Sequence, residues 1–383
     1  DLRITRPSEG YSLRASASGL ADVRSPSFGG PLTFVQISAG RFHTCGLTAP
    51  GHIYCWGLNN HGQLGDGSGE SRHTPWPIDP RISATEFLRF IQVSAGTNHT
   101  CAISTEHKAY CWGANRQGQL GDGTTQERSY VTAVATAESF EEIDGGGGVP
   151  RDLGPLYESF TCGVTLDQKV YCWGANGYGQ LGDGTTTYRQ TPTAAATDAQ
   201  FAQVSTGGMH TCAVTTGNEA LCWGYNDDGQ VGDGTVTHRP IPTEVSSSES
   251  FTQVSAEHFH TCGVTQNDEA FCWGENGGGQ LGDGTTTDRS TPALVAWGEI
   301  PFRQVSVGGE SNFATSHTCA LVAGVTSVFC WGRNSFGQLG DGTTDTSPLP
   351  RNTESGFTQV SAGGVHTCAL TDGGQVFCWG YNV

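Results

Sequence analysis

The chain has 383 residues, of which 56 are glycine and 14 cysteine, and it carries 37 Asp and Glu against 19 Lys and Arg. A balance of −18 with no basic cluster repels phosphate backbones and anionic lipid, which excludes nucleic acid as a partner. No run of about eighteen apolar residues exists that could enter a bilayer as a helix, and no membrane insertion is expected.

Residues 1–21 read as an N-terminal arm, and a chain opening on Asp1 without Met reads as a mature or trimmed form. Beyond them one phrase recurs seven times, as in "HTCGLTAPGHIYCWG", "HTCAISTEHKAYCWG" and "HTCGVTQNDEAFCWG". First cysteines of successive copies are 56, 61, 50, 50, 57 and 49 residues apart. A unit of about fifty residues signals a propeller, solenoid or array, and overrides the two or more domains that length alone suggests.

Each unit reads as four short strands. In the fifth copy these are "FTQVSA" from Phe251, "HTCGVT" from His260, "EAFCWG" from Glu269 and "TPALV" from Thr291, rich in Val, Thr and aromatics and bounded by Gly, Asn, Asp and Pro. With Cys262 opposite Cys272 in a hairpin, Gly263 faces Phe271, and in every copy a Gly or Ala faces an aromatic or Leu. The pairs Cys45/Cys55, Cys101/Cys111, Cys162/Cys172, Cys212/Cys222, Cys262/Cys272, Cys319/Cys330 and Cys368/Cys378 use every cysteine. They are expected to be cross-strand disulfides, because neither the close Cys-x2-Cys pairs of a zinc site nor a redox Cys-x-x-Cys occurs. Seven disulfides point to an oxidising compartment: secreted, cell-surface or periplasmic.

The phrase after each hairpin, "GQLGDG" or a close variant at Gly62, Gly118, Gly179, Gly229, Gly279 and Gly337, resembles the repeat of the regulator of chromosome condensation family. The resemblance spans roughly residues 30 to 383. It implies an all-β fold, a seven-bladed β-propeller with four-stranded antiparallel blades. The seventh copy stops at "CWGYNV", and Pro26 of "VRSPSFGGPLTF" aligns with Pro292. Residues 22–30 are therefore expected to complete the last blade and close the ring with an N-terminal strand, making 22–383 a single propeller domain.

The repeated side chains read as structural. The tryptophans of "CWG" fit blade packing, and the "GWRHT" motif of the photoreceptor with this fold is absent. Six histidines before Thr-Cys (His43, His99, His210, His260, His317 and His366) fit hydrogen bonding, and the Asp of each "GDG" fits a turn, since no Asp-x-Asp-x-Asp-Gly calcium loop occurs. No nucleophile elbow, Walker loop or His-Glu-x-x-His appears, so the chain reads as non-enzymatic, with no cofactor and no metal.

Function is expected on the face where the first-to-second and third-to-fourth connections emerge, because there the copies differ most. The spacing from opening Phe to first Cys is 11 in five copies, but 22 from Phe140 and 17 from Phe302. Arg41, Phe42, Arg116, Arg151, Tyr157, Tyr178, Met209, Tyr225, Phe259, Asn312, Phe313, Arg333 and Phe336 are the candidate partner-binding residues, mixing aromatics with Arg. Asn98-His99-Thr100, the single N-glycosylation acceptor, falls on the same rim. The insertion beginning "WPIDPRISATEFLRF" at Trp76 is expected on the opposite face.

Nuclear members of the resembled family exchange nucleotide on a small GTPase, which the acidic charge and disulfides disfavour here. Extracellular bacterial propellers of similar repeat inhibit β-lactamase through one face. The leading expectation is an extracellular binding module that holds a protein partner on the loop face, as inhibitors of this fold do. The alternative is a structural subunit or adhesin of an extracellular assembly, self-associating through the loop face or the N-terminal arm, or contacting glycan.

Overall fold

The structure, a computed structural model, describes residues 2–5, 12–15, 23–24, 32–80, 87–148, 158–296, 298, 300–310 and 315–382. Blade five shows how a repeat folds: Phe251–Glu257, His260–Thr265, Ala270–Gly274 and Arg289–Leu294 form an antiparallel meander. Five further four-stranded sheets repeat it, and blade seven has three strands among the described residues, giving an all-β, seven-bladed propeller.

The inner three strands are buried because their sequence is apolar or fully hydrogen-bonded. The Phe and the Val or Ile that open each blade enter the core beside the second strand, every residue of which is buried in blades one to six. The fourth strands are mostly half-buried or exposed, and five of the six contain proline, as Pro192 in Arg189–Ala194 and Pro292 in Arg289–Leu294. Proline lacks the N–H that an intruding strand would need, so it protects those five outer edges from edge-to-edge pairing.

The hairpin register is the expected one, with Cys262 opposite Cys272, Gly263 opposite Phe271 and Thr261 opposite Trp273. All seven expected disulfides form within their own hairpins. They are Cys45–Cys55, Cys101–Cys111, Cys162–Cys172, Cys212–Cys222, Cys262–Cys272, Cys319–Cys330 and Cys368–Cys378. The small residue facing each aromatic has a second cause. A Cβ on Gly263 would lie 2.6 Å from the ring of Phe251, and one on Gly46 would lie 2.5 Å from Phe34. The opening Phe of the inner strand occupies that space.

Adjacent blades are tied by side chains that complete backbone pairing where the inner strands diverge. Gln36 accepts from the N–H of Val93 at 3.0 Å and donates to its carbonyl at 3.2 Å. Gln203, Gln253, Gln304 and Gln359 make the same pair of bonds to Val254, Val305, Val360 and Ile37. Two residues on, Ser38, Ser205, Ser255, Ser306 and Ser361 accept from the next blade's backbone. Gln359 and Ser361 tie blade seven to blade one by these bonds, so the ring closes through its inner strands.

The expected closing segment, 22–30, lies outside the described residues except for Val23–Arg24, which pairs with Ser12–Ala15. Those strands and Leu2–Thr5 form a small separate sheet, and Leu2–Thr5 runs beside Val376–Gly380, the last strand of blade seven.

Candidate functional site

The loop face is built on rigid connections. After the third strand, the side chain of Asn59 accepts from the N–H of Leu64 (2.9 Å) and donates to Asp66 (3.2 Å) and to the carbonyls of Ser68 and Glu70. Asp66 in turn accepts from the N–H and hydroxyl of Ser68 and from the Arg72 guanidinium at 2.7 Å. Burial opposes ionisation of Asp66, but the hydrogen bonds from Ser68 and Arg72 outweigh it and hold the carboxyl below its ordinary range. The same Asp–Arg pair recurs as Asp122–Arg128, Asp183–Arg189, Asp233–Arg239, Asp283–Arg289 and Asp341–Arg351. Sequence reasoning took the Asp for a turn residue and missed the buried Asn, which stands at one fixed offset before it in all six copies, and the Arg partner, which stands at one fixed offset after it in every copy but the sixth.

This connection also clamps the next blade. The carbonyl of Gln63 accepts from Trp112 Nε1 at 3.0 Å and from the Thr100 hydroxyl at 2.7 Å. Gly65, at φ +68°, lies under the same indole, where a Cβ would approach Nε1 to 2.6 Å. The histidines act across the same seams: His43 Nε2 lies 2.8 Å from Thr100 Oγ1, His210 2.8 Å from Thr261 Oγ1 and His366 2.8 Å from Thr44 Oγ1. They are engaged singly, each with a threonine of the next blade, and do not converge on a shared point.

At the centre of the face is a small hollow lined mostly by glycines, with Arg41, Thr97 and Glu257 supplying its side chains. The glycines are required by close approach: a Cβ on Gly40 would lie 2.4 Å from the carbonyl of Gly96, and one on Gly363 2.4 Å from that of Gly40. Glu257 stands where other copies have Gly40, Gly96, Gly207, Gly308 and Gly363, a difference readable in the sequence. Burial raises its pKa well above the usual carboxyl range; Asp144 and Glu310 add to the rise and Arg41 opposes it. Arg41 donates to Glu310 at 2.6 Å and lies over the ring of Phe42 at 4.7 Å.

The cysteines singled out in the sequence belong to the blade interiors and contribute nothing to this face. Cys55, Cys111, Cys172, Cys222 and Cys330, on the third strands, have no exposed surface, and neither do Cys45, Cys101, Cys162, Cys212 and Cys319 opposite them. Several of the second-strand sulfurs lie against the threonine of the neighbouring seam, as Cys101 Sγ does at 3.8 Å from Thr161 Oγ1. They staple the scaffold that carries the site, and these ten are withheld from any partner.

The expected binding residues fall into separate groups. Met209, Tyr225 and Phe259 are buried and pack with half-buried Tyr178, whose ring meets that of Tyr225 edge-on at 5.0 Å. His238, which sequence reasoning overlooked, stacks against Tyr225 at 4.9 Å. These residues shape the surface over blades three to five, and Met209, Tyr225 and Phe259 present almost none of their own area to a partner.

Over blades six and seven, Phe336 and Tyr381 are exposed with ring centroids 5.0 Å apart, beside Arg333, which donates to the Gly277 carbonyl at 3.1 Å. Arg116 is exposed, 3.5 Å from Glu127. Arg151, Tyr157, Asn312 and Phe313 lie outside the described residues, as does most of the insertion after Pro80. Asn98 is buried, with 8% of its surface exposed, so the folded chain withholds that glycosylation acceptor.

An RCC1-like domain model matches residues 19–314, more than half of the chain, and a regulator of chromosome condensation (RCC1) repeat model matches residues 327–370. The chain belongs to the RCC1-like domain family. Among curated relatives, the ultraviolet-B receptor UVR8 of Arabidopsis thaliana is 30% identical over 46% of this chain and 38% of its own length. The probable E3 ubiquitin-protein ligase HERC4 of Homo sapiens is 30% identical over 42% of this chain and 14% of its own length. The match therefore spans well under half of these relatives.

Among solved structures, human WBSCR16 superposes with a TM-score of 0.77 at 20% identity, over 94% of each chain. Prp20p from Saccharomyces cerevisiae, whose binding to Gsp1p and histones has been examined, superposes with a TM-score of 0.70 at 19% identity, over 86% of this chain and 80% of its own. These likenesses establish the fold. Within the family, this chain's seven disulfides fit an oxidising, non-cytosolic compartment.

Proposed function

We propose that this chain is a secreted, surface-exposed or periplasmic, non-enzymatic binding module that holds a protein partner on its loop face. The observation that carries the reading is the exposed Phe336–Tyr381 pair on a face otherwise tied down by buried hydrogen bonds. Exposed aromatics on a rigid base lose little conformational freedom on docking, which is what makes such residues interface anchors. Arg116, exposed on the same face, adds a cation to the surface available. That the yeast relative Prp20p binds proteins supports the class of function and leaves the partner of this chain open.

The test is affinity capture from the native extracellular milieu, followed by titration of the purified partner. The baits are the intact chain, a Phe336→Ala/Tyr381→Ala variant, and a chain with residues 145–159 and 308–316 shortened to the length of the other copies. Loss of about 2 kcal/mol of binding, or roughly thirtyfold in Kd, on truncating the aromatic pair is expected for an anchor. Equal capture by all three chains would sink the loop-face reading. Recovery of nothing but further copies of the chain would favour the structural or adhesin role.

A further inference from the structure

Most seams of the ring are tied by Gln and Ser, but the one between blades three and four is tied by two carboxyl groups. Glu142 stands where the other copies have Gln and accepts from the N–H of Val204 at 2.9 Å through Oε2. Asp144 stands where they have Ser. Its Oδ2 accepts from the N–H of Thr206 at 2.8 Å and from the Thr206 hydroxyl at 3.0 Å, while Ser94 of blade two donates to its Oδ1 at 2.8 Å. Both acids lie on Phe140–Gly148, the opening strand of blade three.

The glutamine seams show what this position requires. Gln203 accepts from the N–H of Val254 and donates Nε2–H to its carbonyl, each at 2.9 Å. A carboxylic acid offers the same donor and acceptor as an amide, whereas a carboxylate offers acceptors alone and sets negative charge toward a carbonyl.

Among the described residues no cation lies on the strands packed against Glu142, and Arg41, across the hollow, is engaged with Glu310. On the same strand are Glu141 and Asp144, and the inner strands packed against it, Phe90–Ala95 and Phe201–Thr206, contain no titratable residue. The second strand of blade two brings His99, held neutral because burial lowers its pKa to about 4. The second strand of blade three brings Glu158, which is bonded to Tyr188 and Gln180, and Glu257 of blade five adds negative charge across the hollow.

We propose that Glu142 and Asp144 form a proton-dependent latch between blades three and four, closed while Glu142 is an acid and loosened when it ionises. Burial raises the pKa of Glu142 to about 8, with Asp144 and Glu141 adding to the rise against the bond from Val204. Burial also raises Asp144. For an acid raised on folding, the unfolded chain releases its proton first. The latch's contribution to stability is therefore complete below the ordinary carboxyl range and is lost as pH climbs to about 8.

The test compares thermal unfolding of the full chain, Glu142→Gln and Gln203→Glu from pH 5 to 9.5. Glu142→Gln should gain on the native chain as pH rises, the gap widening by roughly 5 °C or more between pH 5 and 9. Gln203→Glu, which writes an acid into the neighbouring seam, should acquire a second loss over the same range. The buried imidazoles are common to all three chains and cancel. As a local readout, protection of the Val204 amide from hydrogen exchange should fall relative to that of Val254 above pH 8 and be restored in Glu142→Gln. Parallel melting curves for the native chain and Glu142→Gln, or Val204 protection that tracks Val254 at every pH, would overturn the latch.

Discussion

The buried histidines show how one side chain serves a seam without charge. Thr100 gives its single hydroxyl proton to the Gln63 carbonyl, so toward His43 it can only accept, which places the imidazole proton on Nε2. Nδ1 of His43, His99 and His260 is then a lone pair without a donor, a smaller cost than an unpaired N–H. Burial lowers the pKa of His43, His210 and His260 to about 3. Unfolding frees these groups to bind protons near pH 6.5, so their contribution to stability is whole above that value and declines as pH falls toward 3. The melting temperature should therefore begin to drop below about pH 6.5, earlier than carboxylate titration alone predicts. A Thr261→Val variant, which strands the His210 donor and leaves the Gln230 carbonyl with Trp273 Nε1–H alone, should lose about 1–3 kcal/mol by denaturant unfolding. A loss under about 0.5 kcal/mol would show that the seam bond is replaceable by water.

At the scale of the element, each hairpin is stapled by a disulfide closing a loop of about ten residues, worth roughly 2–3 kcal/mol through the unfolded chain. The staples are not equally shielded. Thirteen of the cysteines have no exposed surface, but Cys378 lies on Val376–Gly380, whose residues are all half-buried. Cys368–Cys378 should thus be reduced and alkylated first under mild thiol treatment of the folded protein, with mass spectrometry reading the order. Simultaneous modification of all seven pairs would mean that global unfolding, and not local access, controls reduction. The hairpins themselves were legible in the sequence because strand register is a local property, and Gly263 facing Phe271 could be read from spacing alone. The cross-blade bonds were not, since Gln203 and Val254 are joined by tertiary geometry and nothing in "FAQVST" announces its partner. Variation among copies located the loop face but did not separate exposed Phe336 from buried Met209 and Phe259, because a face that varies can vary inward as well.

At the scale of the whole molecule, the ring is held at its centre by the Gln359 and Ser361 bonds to blade one, while the outer edge of blade seven is built differently from the rest. Val376–Gly380 ends its described sheet, and Cys378 and Trp379 are less covered than their equivalents in blades two to five. Among the described residues no strand is paired to its outer edge, and an edge left so invites another strand. We propose that residues 22–30 supply it, carrying Pro26 at the position that Pro292 occupies in blade five, and so complete the propeller domain 22–383. Removing residues 1–31 should leave the inner-strand closure intact, so the chain should still fold. Its melting temperature should fall by several degrees, and it should self-associate at concentrations where the full chain stays monodisperse in light scattering. Removing residues 1–21 alone should do neither if the edge is filled by 22–30. Equal losses from both truncations would instead assign the edge to Leu2–Thr5, the strand that already runs beside it.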